Sequence, residues 1–370
     1  MATRAEEDAM SARKTGRQIL LTGYPTFAAR YLLATILKNE PEAKITCVVL
    51  ARHKEVAASS LPEQGHDRVT LLEGDVRSLD MGLTGKEYLQ LTRDVTDIYH
   101  LASIWHTNAQ VKSLKDVNIN GTRNVLQCAA DVENLNRYNH LSTAYVCGNR
   151  QGVIMEEEFD EGQGFLNPYE ETQFEAERLV RRQLGRLPIS IFRPSLIIGD
   201  SLTGRTDRLS GPYLLMKPLV SLDVSLPMPG IGQAPLNLVP VDYVAAVIHK
   251  ISLDARSEGR TFHVVDPNPL AARRIFELVA LTAGKPLPRG RFPVGLTRLM
   301  MKIPGLARPL REGAQLIDDF NRWSFFNALN TAEIIGDNPH CPSFPEYVQP
   351  IVSHLQDHSF NDPSLSFDGS

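Results

Sequence analysis

The sequence predicts an α/β protein with a doubly wound parallel sheet, followed by a smaller part that is mixed and mainly helical. From Gln18 onward, short β-branched runs alternate with amphipathic stretches, which is typical of parallel strands joined by crossover helices. The chain has 370 residues, 42% of them hydrophobic and 22% charged, enough for about two globular domains. After Gly199 the sequence becomes rich in Gly and Pro and loses its period. Together these features predict a Rossmann-type sheet with a separate substrate-binding part.

Seven runs have the length and the β-branched content of strands. In chain order they are QILLT (18–22), KITCVVLA (44–51), RVTLLE (68–73), DIYHLA (97–102), NHLSTAYV (139–146), ISIFRP (189–194) and TFHVV (261–265). Three stretches between them carry apolar residues at helical spacing and predict crossover helices. These are FAARYLLATIL (27–37), NINGTRNVLQCAADV (118–132) and YEETQFEAERLVRRQL (169–184).

The predicted organisation has four parts. Residues 1–17 and 361–370 are polar and lack an apolar core, so both are expected to be disordered tails. Residues 18–265 form the Rossmann domain, with a substrate-side insertion at about 200–240. Residues 266–360 form a helical C-terminal cap that binds substrate together with that insertion.

Composition and charge limit the possible partners and location. A formal charge of −4 and a pI near 6.2 give no overall basic field, so no nucleic-acid partner is expected. Four scattered cysteines do not form a disulfide framework, which favours a reducing, cytoplasmic location. No apolar run is long enough for a transmembrane segment. The amphipathic stretch 291–311 allows peripheral membrane contact, although packing on its own domain is the simpler prediction.

A phosphate-binding turn is predicted where the first strand meets the first helix. The sequence TGYPTFAARYLL places Gly23, Pro25, Thr26 and Phe27 at the point where a dinucleotide pyrophosphate would meet the N-terminus of a helix. Such turns usually carry three glycines, and here the order is Gly23, Thr26, Ala29. The turn is therefore degenerate, because Thr26 adds a branched side chain where backbone and phosphate should nearly touch. An ordinary strand-to-helix turn explains the same residues.

The end of the second strand bears on the choice of nucleotide. An acidic residue there favours NAD, and a cation favours NADP with its extra phosphate. The run CVVLARHKE offers Arg52 and Lys54, with no acid before Glu55. NADP is therefore the preferred cofactor and NAD the alternative, although solvated loop cations would look the same.

Several motifs, in order and spacing, resemble those of an extended short-chain dehydrogenase/reductase. They are TGYPTFAARYLL, LEGDV, DIYHLAS, VNINGTRNVLQ, HLSTAYVCG, NPYEETQFEAERLV, FRPSLIIGD and LVPVDYV. The closest resemblance is to the branch that contains fatty acyl-CoA reductases and thioester-reductase domains. It covers residues 18 to about 265 firmly, and FNALNTAEIIGDNPHCPSFPEYVQPIV is similar to the C-terminal end of the acyl-reductase group.

The resemblance implies roles for particular residues. Asp75 and Val76 would meet the adenine, and Leu101 and Ala102 would line the adenosine side. Pro194 and Ser195 would flank the nicotinamide, and Asn118 corresponds to the family's helix asparagine. The remaining two positions are catalytic in the family, with Thr143 as the Ser or Thr that holds the carbonyl oxygen and Tyr169 as the proton donor.

The family motif YxxxK reads Tyr169, Glu170, Glu171, Thr172, Gln173 in this chain, so its lysine is absent. A nearby cation helps bring a tyrosine pKa from about 10 towards the working pH. Gln173 keeps hydrogen-bonding reach to a ribose but has no charge, so it is expected to act as a weakened ribose clamp. A tyrosine that only donates a proton can still serve reduction, whereas oxidation should suffer more.

Two functions are possible, given the resemblance and the two positions at which this sequence departs from the family pattern, Thr26 and Gln173. The first is an NADP-dependent reductase of a small apolar carbonyl or acyl-thioester substrate, working as a monomer or a homodimer. The second is a catalytically impaired relative that binds a dinucleotide or a protein partner as a sensor or regulator. No metal site is predicted, since the ten histidines show no ligand spacing. Trp105 and Trp323 fit either an apolar substrate channel or core packing, and core packing is the simpler prediction.

Overall fold

A computed structural model describes residues 16–105, 109–229, 232–292 and 322–358. Its strands are β1 Gln18–Thr22, β2 Lys44–Val49, β3 Val69–Glu73, β4 Asp97–His100, β5 Arg137–Leu141, β6 Gly152–Ile154, β7 Ile189–Pro194, β8 Leu196–Ile198, β9 Met228–Pro229, β10 Leu238–Pro240, β11 Thr261–Val264, β12 Arg291–Phe292 and β13 Ser324–Phe326. The predicted tails, apart from residues 16 and 17, and residues 293–311 of the predicted membrane-contact stretch lie outside the described residues.

The helices follow in the same chain order. They are α1 Phe27–Asn39, α2 Lys54–Ser59, α3 Gly85–Asp94, α4 Val111–Leu114, α5 Thr122–Asp131, α6 Pro168–Arg181, α7 Tyr213–Ser221, α8 Val241–Ser252, α9 Ala272–Thr282, α10 Leu329–Ile335 and α11 Phe344–Asp357. A π-helical turn, Lys115–Gly121, joins α4 to α5. Within the described ranges, no helix combines the length and the apolar composition needed to cross a bilayer.

Seven strands form one sheet in the order β11-β7-β5-β4-β1-β2-β3, and every neighbouring pair is parallel. Helices cover both faces. One face buries apolar residues of α1 and α8, and the other buries residues of α3, α5 and α6. The strand order reverses between β1 and β4, which is where α/β sheets of this kind open a ligand crevice. The predicted doubly wound α/β fold is confirmed.

The fifth strand is shorter than the sequence pattern suggests. NHLSTAYV was expected to be a strand throughout, but β5 ends at Leu141 and Ala144–Cys147 form a 3-10 turn. The Thr143 side chain accepts a hydrogen bond from the Tyr145 amide at 3.3 Å and so starts this turn. The chain therefore leaves the sheet at Ser142, and Thr143 lies at its carboxyl edge.

A second apolar core lies beside the sheet. It joins α7, α9 and α11 with strands β8 and β10, which pair with each other. The insertion at 200–240 and the C-terminal part therefore share one core. The helix α10 packs instead on the sheet side, near α8 and β11. The C-terminal residues 266–358 thus contribute to both cores, and the exact domain boundaries stay a prediction.

Candidate active site

The turn between β1 and α1 is shaped for a close backbone approach. Gly23 has φ +88°, and a Cβ atom there would lie 2.6 Å from the amide nitrogen of Ala102. The Thr26 amide donates to the Gly23 carbonyl at 2.9 Å, and Thr26 is the N-cap of α1. Its hydroxyl makes no capping hydrogen bond, and the first turn of α1 has no acidic residue. The positive end of the helix dipole is therefore open to an anion.

Charged residues gather where β2 and β3 end. Arg77 Nε donates to Asp75 at 2.9 and 3.0 Å, and Arg77 Nη2 donates to Asp75 Oδ2 at 2.7 Å. Burial alone would raise the pKa of Asp75, but the hydrogen bonds and charge of Arg77, with a smaller contribution from Arg52, hold it below its usual value. Two guanidinium groups therefore face one carboxylate at the end of the sheet predicted to hold adenosine.

Asn118 and Val76 lie behind the crevice. The Asn118 amide exchanges hydrogen bonds with the Ile104 backbone at 2.8 and 3.0 Å and donates to the Thr172 hydroxyl at 3.1 Å. These contacts tie the π-helical turn to the loop after β4 and to α6. Val76 is 9% exposed and packs in the core of the sheet. Both positions therefore support the crevice wall.

The phenol and the hydroxyl predicted to be catalytic lie next to each other. The helix α6 begins after Asn167, whose side-chain oxygen accepts from the Glu170 amide at 3.0 Å, with Pro168 in its first turn. The Tyr169 phenol lies near the Thr143 hydroxyl, which acts on the pKa of the phenol. The Thr143 hydroxyl itself donates to the Pro194 carbonyl at 3.5 Å. Burial raises the pKa of Tyr169 to about 12, and the Glu170 charge adds to the rise while the Thr143 hydroxyl opposes it. The phenol is therefore protonated at neutral pH.

Gln173 lies one helical turn after Tyr169 and is 2% exposed. Its Nε2 donates to Ser103 Oγ at 3.0 Å. One N–H of the side-chain amide is therefore used by Ser103, which lines the cleft described below. The role of Gln173 as a weakened ribose clamp stays a prediction.

A cavity of about 290 Å³ opens at the carboxyl edge of the sheet and is called the cleft below. It brings together seven of the predicted site residues: Thr26, Phe27, Leu101, Thr143, Tyr169, Pro194 and Ser195. The start of α1 and the Tyr169–Thr143 pair therefore share one cleft. Gly23, Pro25, Arg52, Asp75, Val76, Ala102, Asn118 and Gln173 are not part of its lining. Ser195 Oγ donates to Asn237 Oδ1 at 2.7 Å, which ties this wall to the second core.

Sequence reasoning missed part of the lining. Ser103, Asn167 and Glu170 lie on the sheet side, and residues 206–208 and 210–213 form the opposite wall. An ion pair between Arg30 of α1 and Asp207 fastens that wall to the sheet. Glu170 could have been found from its position beside Tyr169, but the irregular stretch after Gly199 carries no pattern that shows which residues face inward.

Trp105 also lines the cleft. It is 47% exposed, so the prediction of core packing is wrong for this residue. Trp323 is 44% exposed, so core packing does not describe it either, and it is not part of the cleft lining. Four aromatic side chains contribute to the lining of the cleft: Phe27, Trp105, Tyr145 and Tyr213.

A buried network fixes α6 against the sheet. Glu177, two turns after Tyr169, is fully buried and accepts hydrogen bonds from Arg193 at 2.6 and 3.0 Å and from Ser142 Oγ at 2.6 Å. Burial raises the Glu177 pKa, but the nearby guanidinium groups of Arg193 and Arg181 and the bond from Ser142 lower it to about 2. Since Ser142 precedes Thr143, this network sets the position of Tyr169 relative to Thr143.

The residues present fit a nicotinamide dinucleotide. The glycine turn and the open N-terminus of α1 suit a pyrophosphate. The Tyr169–Thr143 pair lies at the other end of the same crevice. Within the described ranges no group of three or more His, Cys, Asp or Glu residues is placed to hold a metal ion.

This sheet and cleft define an extended short-chain dehydrogenase/reductase fold with a reductase-type NAD(P)-binding domain. The chain belongs to the family described as Male sterility protein, whose family model matches residues 21–248. The "Aldehyde reductase lnaA" of Aspergillus flavus is 28% identical over 93% of this chain and 36% of its own length. The chain spans about a third of the length of such curated relatives.

Solved structures show the same architecture. The terminal R domain from the myxalamid PKS-NRPS biosynthetic pathway is 25% identical with a TM-score of 0.79, over 93% of this chain and 91% of that one. The UDP-glucuronic acid 4-epimerase of Bacillus cereus, solved in complex with NAD, is 18% identical with a TM-score of 0.69, over 94% of this chain and 100% of that one. The second likeness concerns the fold alone.

Proposed function

We propose that this chain is an NADPH-dependent reductase of apolar carbonyl or acyl-thioester groups. The observation that carries the proposal is that Tyr169 and Thr143 line the same cleft as the N-terminus of α1. Reduction needs a proton donor and a hydrogen-bond donor at one carbonyl oxygen, next to a bound dinucleotide. The similarity to an aldehyde reductase and to an R domain supports the same class of reaction.

The chain's own residues would orient the substrate and move one proton. A bound NADPH supplies the hydride. Thr143 Oγ1 donates a hydrogen bond to the substrate carbonyl oxygen, and Tyr169 Oη gives its proton to that oxygen as negative charge develops on it. Because burial holds the Tyr169 phenol in its protonated form, the donor is ready before substrate arrives. The Ser142–Glu177–Arg193 network keeps Thr143 and Tyr169 at a fixed separation.

NADP is preferred over NAD because of the charges at the ends of β2 and β3. Arg52 lies in the 3-10 turn Ala51–His53 that follows β2, and it contributes to the low pKa of Asp75. Arg77 holds the other side of the same carboxylate. A ribose phosphate placed there would meet a net positive charge, because Arg52 and Arg77 together outweigh Asp75, whereas the ribose hydroxyl of NAD would find no acid at the end of β2.

The lining of the cleft supports an apolar acyl group next to the reacting carbonyl. Aromatic and aliphatic side chains surround the Tyr169–Thr143 pair, among them Phe27, Trp105 and Leu196. Apolar lining with a few convergent polar groups is the usual form of a small-molecule site. A long-chain aldehyde or a thioester of a medium-length acid fits this chemistry.

A second candidate is a nucleotide-binding protein with little turnover. Gln173 occupies the position of the lysine in the YxxxK motif of short-chain dehydrogenase/reductases. The pKa of the Tyr169 phenol is raised, whereas a nearby lysine would lower it. Both observations favour a slow proton exchange. This candidate shares the cofactor site with the first and differs only in the chemical step.

Two measurements separate these candidates. Calorimetric titration with NADPH and NADH measures binding, and the loss of NADPH absorbance with octanal or S-octanoyl-pantetheine measures turnover. We expect tighter binding of NADPH than of NADH, and octanal or thioester reduction that Tyr169→Phe abolishes. Binding without turnover would favour the second candidate, and no binding of either nucleotide at millimolar concentration would exclude both.

A further inference from the structure

A buried ion pair lies against the wall of the cleft, between the C-terminal part of the chain and the start of α6. Arg322 Nη2 donates to Glu170 Oε1 at 2.5 Å, and Arg322 Nη1 donates to the Gly148 carbonyl at 3.1 Å. The two charged side chains are only 5% and 3% exposed. Glu170 lines the cleft and directly follows Tyr169. Arg322 therefore brings a positive charge from a distant part of the chain to the neighbour of the proton donor.

The other hydrogen bonds of Glu170 come from neutral groups. Oε1 accepts from Asn167 Nδ2 at 3.1 Å, and Oε2 accepts from the Leu166 amide at 3.1 Å. Neutral donors satisfy the carboxylate but do not cancel its charge. Arg322 offsets that charge with a positive one, and the guanidinium is held in place by the Tyr145 ring, whose centre lies 4.7 Å from its central carbon.

This charge matters because carbonyl reduction builds negative charge beside it. The oxygen that accepts the Tyr169 proton becomes partly anionic in the transition state, and an uncompensated carboxylate in the same wall would repel it. Across a partly buried site of this size, such repulsion costs on the order of tenfold to a hundredfold in rate. A neutralised Glu170 avoids that loss.

Other charged and titratable groups surround the pair. Cys147 lies behind Arg322, and burial raises the pKa of its thiol, so it stays neutral. On the opposite wall, Asp207 and Arg208 line the cleft, and Asp207 pairs with Arg30 of α1. The carboxylate closest in sequence to Tyr169 is Glu170, and the part of its charge that Arg322 leaves uncompensated raises the pKa of the phenol.

We infer that Arg322 is a positioning residue that neutralises Glu170 and so allows the cleft to hold a developing oxyanion at the Tyr169–Thr143 pair. The inference rests on the proposed reductase function and deepens it. The active site would then depend on a residue of the C-terminal part of the chain, about 150 positions after Glu170 in sequence. The chain thus contains a cation that acts on the wall of the site, although the lysine of the YxxxK motif is absent.

A binding experiment tests this without turnover. Octanoate carries a full negative charge where a substrate carbonyl oxygen would develop one, and 1-octanol does not. Calorimetry with the NADP⁺-saturated full chain measures the affinity for each probe. In Arg322→Gln, octanoate binding should weaken about tenfold or more while 1-octanol binding changes less than about twofold.

Further variants separate charge from packing. Arg322→Lys should keep octanoate affinity, and the double variant Glu170→Gln/Arg322→Gln should regain most of it, because no unpaired carboxylate remains. Arg260→Gln is the matched control: Arg260 anchors the same C-terminal part through Asn330 and Glu333 without lining the cleft, so both affinities should stay unchanged. If Arg322→Gln does not fold, the Glu170→Gln variant tests the same inference. In that variant the Arg322 guanidinium has lost its carboxylate partner, so octanoate should bind more tightly.

Each contrary result has a defined meaning. Two results with Arg322→Gln would overturn the inference: equal losses of affinity for octanoate and 1-octanol, or an unchanged affinity for octanoate. Weaker octanoate binding in Glu170→Gln, or no octanoate binding to the wild type, would also overturn it. In turnover assays with octanal, Arg322→Gln should lower kcat more than it raises KM. If the wild type reduces octanal but Arg322→Gln binds octanoate normally, the role of Arg322 is refuted and the reductase function stands. If Arg322→Gln selectively weakens octanoate binding but the wild type shows no turnover, the reductase function is refuted and the charge effect of Arg322 stands.

Discussion

Replacing Gln173 by lysine restores the cation that the YxxxK motif lacks in this chain, and so tests how that cation affects proton transfer from Tyr169. The side chain lies one helical turn from Tyr169 on α6, where Cβ atoms are about 5–6 Å apart, and we take about 6 Å as the distance from a lysine ammonium to the phenol. At that distance and an effective dielectric constant of about 20, the attraction is ~3 kcal/mol, which lowers the phenol pKa by about 2. Since burial holds the Tyr169 pKa at about 12, the lysine returns it close to that of free tyrosine.

The expected result is faster chemistry in both directions, and more so in oxidation. Reduction of octanal should accelerate about tenfold, and oxidation of 1-octanol by NADP⁺ should gain more because the phenol must then act as a base. The assay follows NADPH absorbance in each direction, with thermal unfolding to check that the buried ammonium is tolerated beside Ser103. Gln173→Met is the matched control: it has similar length without charge and should not accelerate either direction. Unchanged rates in Gln173→Lys, with unchanged NADPH affinity, would refute the reasoning.

The remaining predictions concern the proton donor, the nucleotide site and the buried network. Tyr169→Phe should lower octanal reduction by about a hundredfold or more while NADPH affinity, measured by calorimetry, stays nearly constant; equal losses of both would contradict a donor role. Arg52→Gln should weaken NADPH about tenfold and leave NADH unaffected, and equal weakening would argue against phosphate recognition. Gly23→Ala should abolish nucleotide binding, because its Cβ would lie 2.6 Å from the backbone beyond β4; retained affinity would show that the turn is not used. Glu177→Gln should destabilise the fold by about 3–5 kcal/mol in urea titration, since it leaves the Arg193 charge buried and unpaired. The depressed pKa of Glu177 stabilises the wild type above about pH 4.5, and this contribution is lost as the pH falls towards 2, whereas the variant should lack that part of the acid dependence.

The sheet could be predicted from sequence because most of its strands are short β-branched runs between amphipathic stretches, although β5 has no β-branched residue. Burial on both faces requires such runs in a parallel sheet, so the sequence pattern and the fold have the same cause. The pairing of Thr143 with Tyr169 was expected from the resemblance, since the fold brings the end of β5 beside the start of α6. The cleft contains both residues together with Thr26 and Phe27.

Other features of the site depend on contacts that no local pattern encodes. Arg322 meets Glu170 across 152 positions, and the sequence around either residue is that of an ordinary helix start or loop. The stretch after Gly199 has no period, so the inward direction of Asp207 and Arg208 depends on its tertiary path. Gln173 was assigned a ribose contact because its length and polarity allow one. The hydrogen bond that it makes to Ser103, 70 positions away, could not be predicted in the same way.

The central claim is that one crevice holds a nicotinamide nucleotide with the Tyr169 phenol directed at its reactive ring. A crystal structure of the full chain with NADP⁺ tests this most directly. The account predicts the pyrophosphate on the backbone of Thr26 and Phe27, the extra phosphate against Arg52 and Arg77, and the nicotinamide beside Pro194 within reach of Tyr169. A nucleotide excluded from the turn by the Thr26 side chain, or bound with its nicotinamide away from the phenol, would contradict it.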